Sequence, residues 1–304
     1  MKLNFYGTRG SIATPSSRTF KTEEYGGNTT SMAVTTSDGK LNLIDAGTGI
    51  RAFGNALLAG DFGKGKGVAN LFFTHVHWDH IQGVPFFTPF FIPGNIFNLY
   101  GLKKVNTSLE RTLEGQQQYP NFPVTLEQMR KIGANMSFVD LVQGACNFNG
   151  VNVSCTELNH PDGVLCYSFE DNGKKIVIAT DTEHDGYKFN QKFGPIDSKL
   201  LWIAKDADIL VYDAQYTPEE YEKKKTWGHS TFEKGIDIAL EAGVKKIVLT
   251  HHDPSHDDRM LDEISERAKG YCDSQFNLAV GQKIIPVEYS LDVVMAKEGM
   301  EIGV

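Results

Sequence analysis

Basic residues are in deficit in this chain: 30 lysines and arginines stand against 38 aspartates and glutamates, a net charge of -8. Proteins that hold long nucleic acids by their phosphates draw much of their affinity from a basic surface that releases counterions, so long nucleic acid is not the expected partner. Two short basic runs, Lys103-Lys104 and Lys223-Lys224-Lys225, read as solvated faces. Cysteine is sparse as well. Cys146, Cys155, Cys166 and Cys272 are widely spaced with no Cys-x-x-Cys, which speaks against a disulfide framework or a thiolate zinc site and leaves ordinary buried thiols. No apolar run reaches the ~20 residues of a membrane span; the most hydrophobic region, Val84 to Phe97, is interrupted by Pro85, Pro89 and Pro93. Met1-Lys2-Leu3-Asn4-Phe5-Tyr6 starts as a strand and lacks the apolar core of a signal peptide, so a cytoplasmic location is expected. No repeat or low-complexity linker interrupts the 304 residues, which are expected to form a single domain over 1–304 with ample core.

What the chain does have is Thr74-His75-Val76-His77-Trp78-Asp79-His80, placed directly after the apolar run Leu71-Phe72-Phe73. One histidine here would read as a satisfied core residue; three histidines and a carboxylate at this spacing read as a metal site. An extended segment sends alternate side chains to one face, so His75 and His77 can converge on one ion. If a helix starts at Trp78, Asp79 and His80 project toward a neighbouring position, which suits a two-metal centre. Completing such a centre needs distant ligands. Val151 to Cys155 reads as a strand leading to His160, Lys175 to Thr180 as a strand ending at Asp181, and Lys246 to Thr250 as a strand ending at His251. On this reading His75, His77 and His160 hold one ion, Asp79, His80 and His251 hold a second, and Asp181 bridges them through its two oxygens.

The set resembles the metallo-β-lactamase superfamily, whose hallmark is His-x-His-x-Asp-His followed by remote His, Asp and His ligands. Phe5-Tyr6-Gly7-Thr8-Arg9-Gly10-Ser11, Gly27-Asn28-Thr29-Thr30-Ser31 and Leu43-Ile44-Asp45-Ala46-Gly47-Thr48-Gly49 extend the likeness over most of the chain. Tyr212-Asp213-Ala214 and Gly228-His229-Ser230-Thr231 are most similar to the branch containing ribonuclease Z and the small phosphodiesterases. The resemblance implies an α+β fold, a four-layer αββα sandwich with a dinuclear metal site at the sheet edge. It implies that His229 assists catalysis and that Asp213, where the ribonuclease has glutamate, orients it. From the residues themselves, Ser230 is expected to cap the following helix with Glu233 completing a capping box, and Phe232, Ile236, Ala239 and Leu240 form its apolar stripe. His229 would then sit at a helix N-terminus, a position favourable for a phosphate oxygen.

Helices are further expected at Ile50 to Ala59, Pro218 to Lys225 and Asp258 to Lys269, and residues 103–137 read as a helical and loop insertion, either a lid or a packed elaboration. The aromatic segment Pro85 to Phe91 fills core or a subunit interface, a homodimer being the assembly left open, or offers a stacking surface for a base. His252 and His256 lie near His251 and are expected to support the ligands or face substrate. The expected activity is hydrolysis of a small phosphodiester, such as a cyclic nucleotide, by water activated between two divalent ions. Zinc suits the histidines, and manganese or iron would accept the same donors. Catalytic roles fall to Asp79, Asp213 and His229, with His229 protonating the leaving oxygen. The competing expectations are a ribonuclease Z-like endonuclease, an acyl hydrolase acting on a thioester or lactam, and a metal-binding sensor without turnover.

Overall fold

A computed structural model describes the chain apart from residues 149, 185–194 and 282–284 and the side chains of 146 and 195–197; the expectation of a buried thiol at Cys146 therefore lies outside the described residues. The other three cysteines are free and buried. The chain forms two compact units: Met1–Ala13, Gly27–Val142 and Glu298–Gly303 in one, Thr14–Gly26, Gln143–Lys297 and Val304 in the other.

The first unit is a seven-stranded sheet of β1 (Lys2–Gly7), β2 (Ser31–Thr35), β3 (Leu41–Ile44), β4 (Val68–Phe72), β5 (Ile96–Leu102) and β6 (Asn135–Leu141), with Glu301–Gly303 added beside β1. β1 to β3 pair antiparallel, whereas β3 to β6 run parallel. Parallel neighbours need crossovers, and α1 (Ile50–Leu57), α2 (Trp78–Ile81), α3 (Leu109–Gln116) and α4 (Leu126–Ile132) lie in them. Of the expected insertion 103–137, residues 103–134 are the crossover from β5 to β6 and 135–137 already belong to β6. Leu109, Leu113, Leu126 and Met129 of the crossover enter the same core as Phe87, Phe90 and Phe97, so the segment packs as part of this unit. Of the aromatic run, Phe87 and Phe90 are fully buried, and Phe86 is exposed with its ring edge-on to Phe122.

The second unit repeats the pattern, antiparallel strands first and parallel strands after. Its strands are β7 (Gly144–Phe148), β8 (Val151–Leu158), β9 (Val164–Asp171), β10 (Lys174–Ala179), β11 (Ile209–Asp213), β12 (Lys246–Thr250) and β13 (Asp292–Met295), antiparallel from β7 to β10 and parallel from β10 to β13. α5 (Pro195–Ala204), α6 (Pro218–Tyr221), α7 (Phe232–Ala242) and α8 (Asp258–Gly281) complete it. α8 runs past the expected end at Lys269 because its apolar face, Leu261, Ile264, Ala268, Cys272 and Ala279, remains buried to the last turns. α7 buries the expected stripe, but its start corrects the sequence reading. Thr231 is the N-cap and accepts from the Lys234 N–H, while the Ser230 hydroxyl is hydrogen-bonded to Tyr212 Oη at 2.8 Å. A buried tyrosine hydroxyl needs a partner, and meeting that need takes Ser230 out of the cap. His229 consequently precedes the helix by more than the sequence implied, and the N-terminal anion site drawn from that position is withdrawn.

Candidate metal centre

In the first unit the chain leaves β4 in extended conformation and turns into α2 at Trp78. Alternation then puts His75 Nε2 and His77 Nδ1 2.9 Å apart, converging on one point. Asp79 and His80 fall in the first turn of α2, both buried, with His80 Nε2 3.3 Å from Asp79 Oδ2. The parallel register of β3 and β4, which pairs Ile44 with Phe72, brings Asp45 alongside. Asp45, in a left-handed backbone conformation (φ 59°), accepts from His80 Nδ1, the Thr74 N–H and the Thr74 hydroxyl, each at 2.8 Å. With Nδ1 so committed, His80 presents Nε2 as its donor atom. Complete burial pushes the Asp45 carboxyl above the ordinary aspartate range, against the pull of His80 and Thr74. The Ser11 N–H donates to Asp79 Oδ2 at 2.7 Å and orients that carboxylate.

In the second unit the donors come from three separate places. β10, β11 and β12 lie in register, Ala179 opposite Tyr212 and Asp213 opposite Thr250, so their carboxyl ends carry Asp181, Asp213 and His251 side by side. Asp181 (φ 59°) and His251 (φ 63°) both take the left-handed conformation that turns the chain off the strand. Asp181 Oδ1 is 3.2 Å from His251 Nε2 and Asp181 Oδ2 is 3.9 Å from His160 Nε2. Each oxygen of the carboxylate therefore faces a different imidazole, the geometry a bridging ligand needs. His251 Nδ1 is held by Gln215 Oε1 at 3.0 Å, and His160 Nδ1 donates to the Gly228 carbonyl at 2.8 Å. Both rings keep Nε2 for an ion. Gly228 must be glycine: its φ is +88° and a Cβ would stand 2.3 Å from His160 Nδ1.

His229 Nδ1 is 2.9 Å from Asp213 Oδ2, and Asp213 also accepts from the Thr182 and Gln215 N–H groups. The His229 ring stacks on His251 at 5.1 Å and leaves Nε2 as its working atom. Donors of His160, Asp181 and His229 lie within 4.8 Å of one another, so spacing alone would admit His229 as a ligand; the bond to Asp213 is what ties its Nδ1 to another task.

Each sequence-predicted residue is thus found with chemically matched neighbours in its own unit. Two expectations need correction. His252 is fully buried with Nε2 on the Ala296 carbonyl, and His256 Nε2 is held by the Glu220 carboxylate, so both serve the packing around β12 and α6. Sequence reasoning gave no role to Asp45, which carries the same signal as Asp181, an aspartate ending an apolar strand. Gln215 carries no such signal, since a glutamine two residues past a strand is unremarked until the register is known.

Residues 42–252 match the family model described as Beta-lactamase superfamily domain. Ribonuclease Z of Haloferax volcanii is 25% identical over 283 residues, covering 83% of this chain and 84% of that protein. The metallo-β-lactamase fold protein YhfI of Bacillus subtilis superposes with a TM-score of 0.65 at 16% identity, over 99% of this chain and 98% of its own. The short form of human tRNase Z does so with a TM-score of 0.59 at 19% identity, over 100% and 99%. These likenesses to solved structures show the fold, the αββα sandwich of the α+β class. The family match over most of the chain makes this protein a member of the metallo-β-lactamase superfamily and a metal-dependent hydrolase.

Proposed function

We propose that the chain hydrolyses a phosphodiester, with His75, His77 and His160 as ligands of one divalent ion, Asp79, His80 and His251 as ligands of a second, and Asp181 shared. The donor set fits. Imidazoles whose Nδ1 atoms are already bonded present Nε2, and buried carboxylates supply anionic oxygens, a mixture that zinc, manganese and iron all accept. Such ions, when bound, lower the pKa of water and offset charge on a phosphoryl group.

The observation that carries the reading is the Asp213–His229 pair beside Asp181 and His251. Asp213 fixes the ring tautomer, and His229 Nε2 is left to donate a proton to a departing alkoxide. A thioester releases a thiolate that leaves without protonation and so gives no such reason for an oriented histidine. We favour a small diester over a long RNA because the chain carries a net charge of -8. A ribonuclease Z-like reading stands second, supported by the Haloferax volcanii relative along most of its length.

The test is turnover of cyclic nucleotides, bis-p-nitrophenyl phosphate, an alkyl phosphodiester and a transfer RNA precursor by the metal-loaded protein. Cyclic nucleotide cleavage without precursor cleavage supports the first reading, and the reverse supports the second. His229→Ala should slow the alkyl diester by ~10²–10⁴-fold with its metal retained, and the p-nitrophenyl diester much less, because nitrophenolate leaves without protonation. Equal losses on both substrates would remove His229 from the role of acid.

A further inference from the structure

Glu183 has no part in the scheme above, yet its buried carboxylate is surrounded by donors from one short segment. Its oxygens divide the work. Oε1 accepts from Tyr221 Oη at 2.8 Å and from the Thr226 N–H at 2.8 Å; Oε2 accepts from the Gly228 N–H at 2.9 Å. The same residue's main chain is tied to the other side of the centre, its N–H to the Asn159 carbonyl at 2.9 Å and its carbonyl to Asn159 Nδ2 at 3.1 Å. Asn159 immediately precedes His160, and Gly228 immediately precedes His229.

The segment makes turn hydrogen bonds of its own, Lys224 N–H to the Tyr221 carbonyl and Trp227 N–H to the Lys224 carbonyl, but its last residues sit in unfavourable backbone. Thr226 (φ 72°) and Gly228 (φ 88°) both lie in the left-handed region, which a β-branched threonine adopts only where surroundings over-determine it. Charge-assisted bonds from a carboxylate to two backbone N–H groups are strong enough to do this. The consequence runs through Gly228. Its N–H is fixed by Glu183, its carbonyl accepts from His160 Nδ1, and the next residue is His229. One carboxylate thereby sets the direction of the carbonyl that orients one imidazole and the starting point of the chain that carries another.

We propose that Glu183 is a positioning residue that aligns His160 and His229 together by clamping the Thr226–Gly228 turn. It rests on the reading above for what the two histidines do, and on this structure alone for how they are held. A glutamine at 183 sharpens the case, because it can keep an oxygen toward only one side. If that oxygen stays on Tyr221 and Thr226, an NH2 group faces the Gly228 N–H, donor against donor.

The experiment compares Glu183→Gln with Tyr221→Phe, which removes one donor from the clamp without touching the Gly228 peptide. The first readout needs neither metal nor activity: in the metal-free protein the His160 Nδ1–H resonance, hydrogen-bonded to the Gly228 carbonyl, should lose its protection in Glu183→Gln and keep it in Tyr221→Phe. The second is zinc affinity, expected to fall about 10–100-fold in Glu183→Gln, because the Gly228 carbonyl that holds the far nitrogen of His160 loses its direction. The third, where phosphodiester turnover is observed, is a larger loss on the alkyl diester than on the p-nitrophenyl diester. If Glu183→Gln does not fold, Glu183→Asp, which keeps both oxygens but withdraws them by one methylene, is put through the same measurements and should show intermediate losses. An unchanged His160 resonance and zinc affinity, or equal losses in Glu183→Gln and Tyr221→Phe, would overturn the proposal. Absence of any phosphodiester turnover would count against the functional reading, while the resonance and the zinc titration would still decide the role of Glu183.

Discussion

The two units contribute to chemistry in opposite ways. In the first, four donors lie between His75 and His80, and one strand end followed by one helical turn arranges them. In the second, His160, Asp181 and His251 are separated by long stretches of chain; the parallel register of β10, β11 and β12 sets Asp181 and His251 side by side, and His160 comes from the turn after β8, held by the Gly228 carbonyl. A local cluster inherits its geometry from backbone periodicity, which is robust and short-ranged. A dispersed set depends on strands pairing correctly and on Asp181 and His251 adopting left-handed backbone, which only the surrounding packing enforces. The supporting residues follow the same division. Asp45 holds His80 and Thr74 from the adjacent strand, whereas the second unit uses Gln215, Gly228, Thr182 and Asp213 in a distributed net.

The largest expected effect separates the shared residue from a single-ion residue. Asp181→Ala should reduce metal content, read by elemental analysis, from about two ions toward none, while His80→Ala should cost about one. Full metal in Asp181→Ala would end the assignment of a bridge. Next come the residues behind the donors. Asp45→Asn and Gln215→Ala should each weaken metal affinity by about 10–100-fold in a competition titration with a chromophoric chelator. Asp45→Asn should be the more severe, because Asp45 is fully buried and serves three donors. A larger loss in Gln215→Ala would mean that the first unit's cluster holds itself without its support.

Two smaller effects check that residues near the motifs but outside the donor sets act through stability alone. Thr231→Ala should cost about 1 kcal/mol as a lost cap, and Ser230→Ala about 1–3 kcal/mol because the Tyr212 hydroxyl is left buried and unpaired, both read by denaturant unfolding. The reverse order would restore Ser230 to the cap. The smallest effect concerns His256. Burial raises the Glu220 carboxyl, but hydrogen bonds from His256 and the Thr217 N–H outweigh it and leave Glu220 below the ordinary glutamate range. Its contribution to stability is then complete above the unfolded value of about 4.3 and is lost as pH falls through the lower folded value. Glu220→Gln should flatten that acid limb of a thermal melt and leave metal content unchanged; loss of metal would return His256 to the centre.

Much of the second unit's geometry was readable only in part. Strand ends at Asp181 and His251 follow from apolar runs stopped by one polar residue, and the helix at Phe232–Ala242 from its stripe. Ser230 and Thr231 are chemically equivalent as caps, so sequence alone does not choose between them; a tyrosine eighteen residues upstream, Tyr212 at 2.8 Å from Ser230, does. α8 was read short because its later buried positions, Cys272 and Ala279, carry a weak apolar signal on a charged helix. Gln215 and Glu183 gave no signal at all, since a polar side chain acquires a role only when its partner's position is known.

The sequence by itself determined which histidines and aspartates are candidate donors, the convergence of His75 with His77, and the superfamily to which these motifs belong, because spacing along an extended strand is a local property of the backbone. The tertiary structure decided which nitrogen each imidazole presents, that the two oxygens of Asp181 face His160 and His251 separately, and that Asp213 rather than Asp181 holds His229 Nδ1. Those choices are made by strand register and by hydrogen bonds between residues far apart in the chain, and no pattern in the one-dimensional sequence encodes a distance between them.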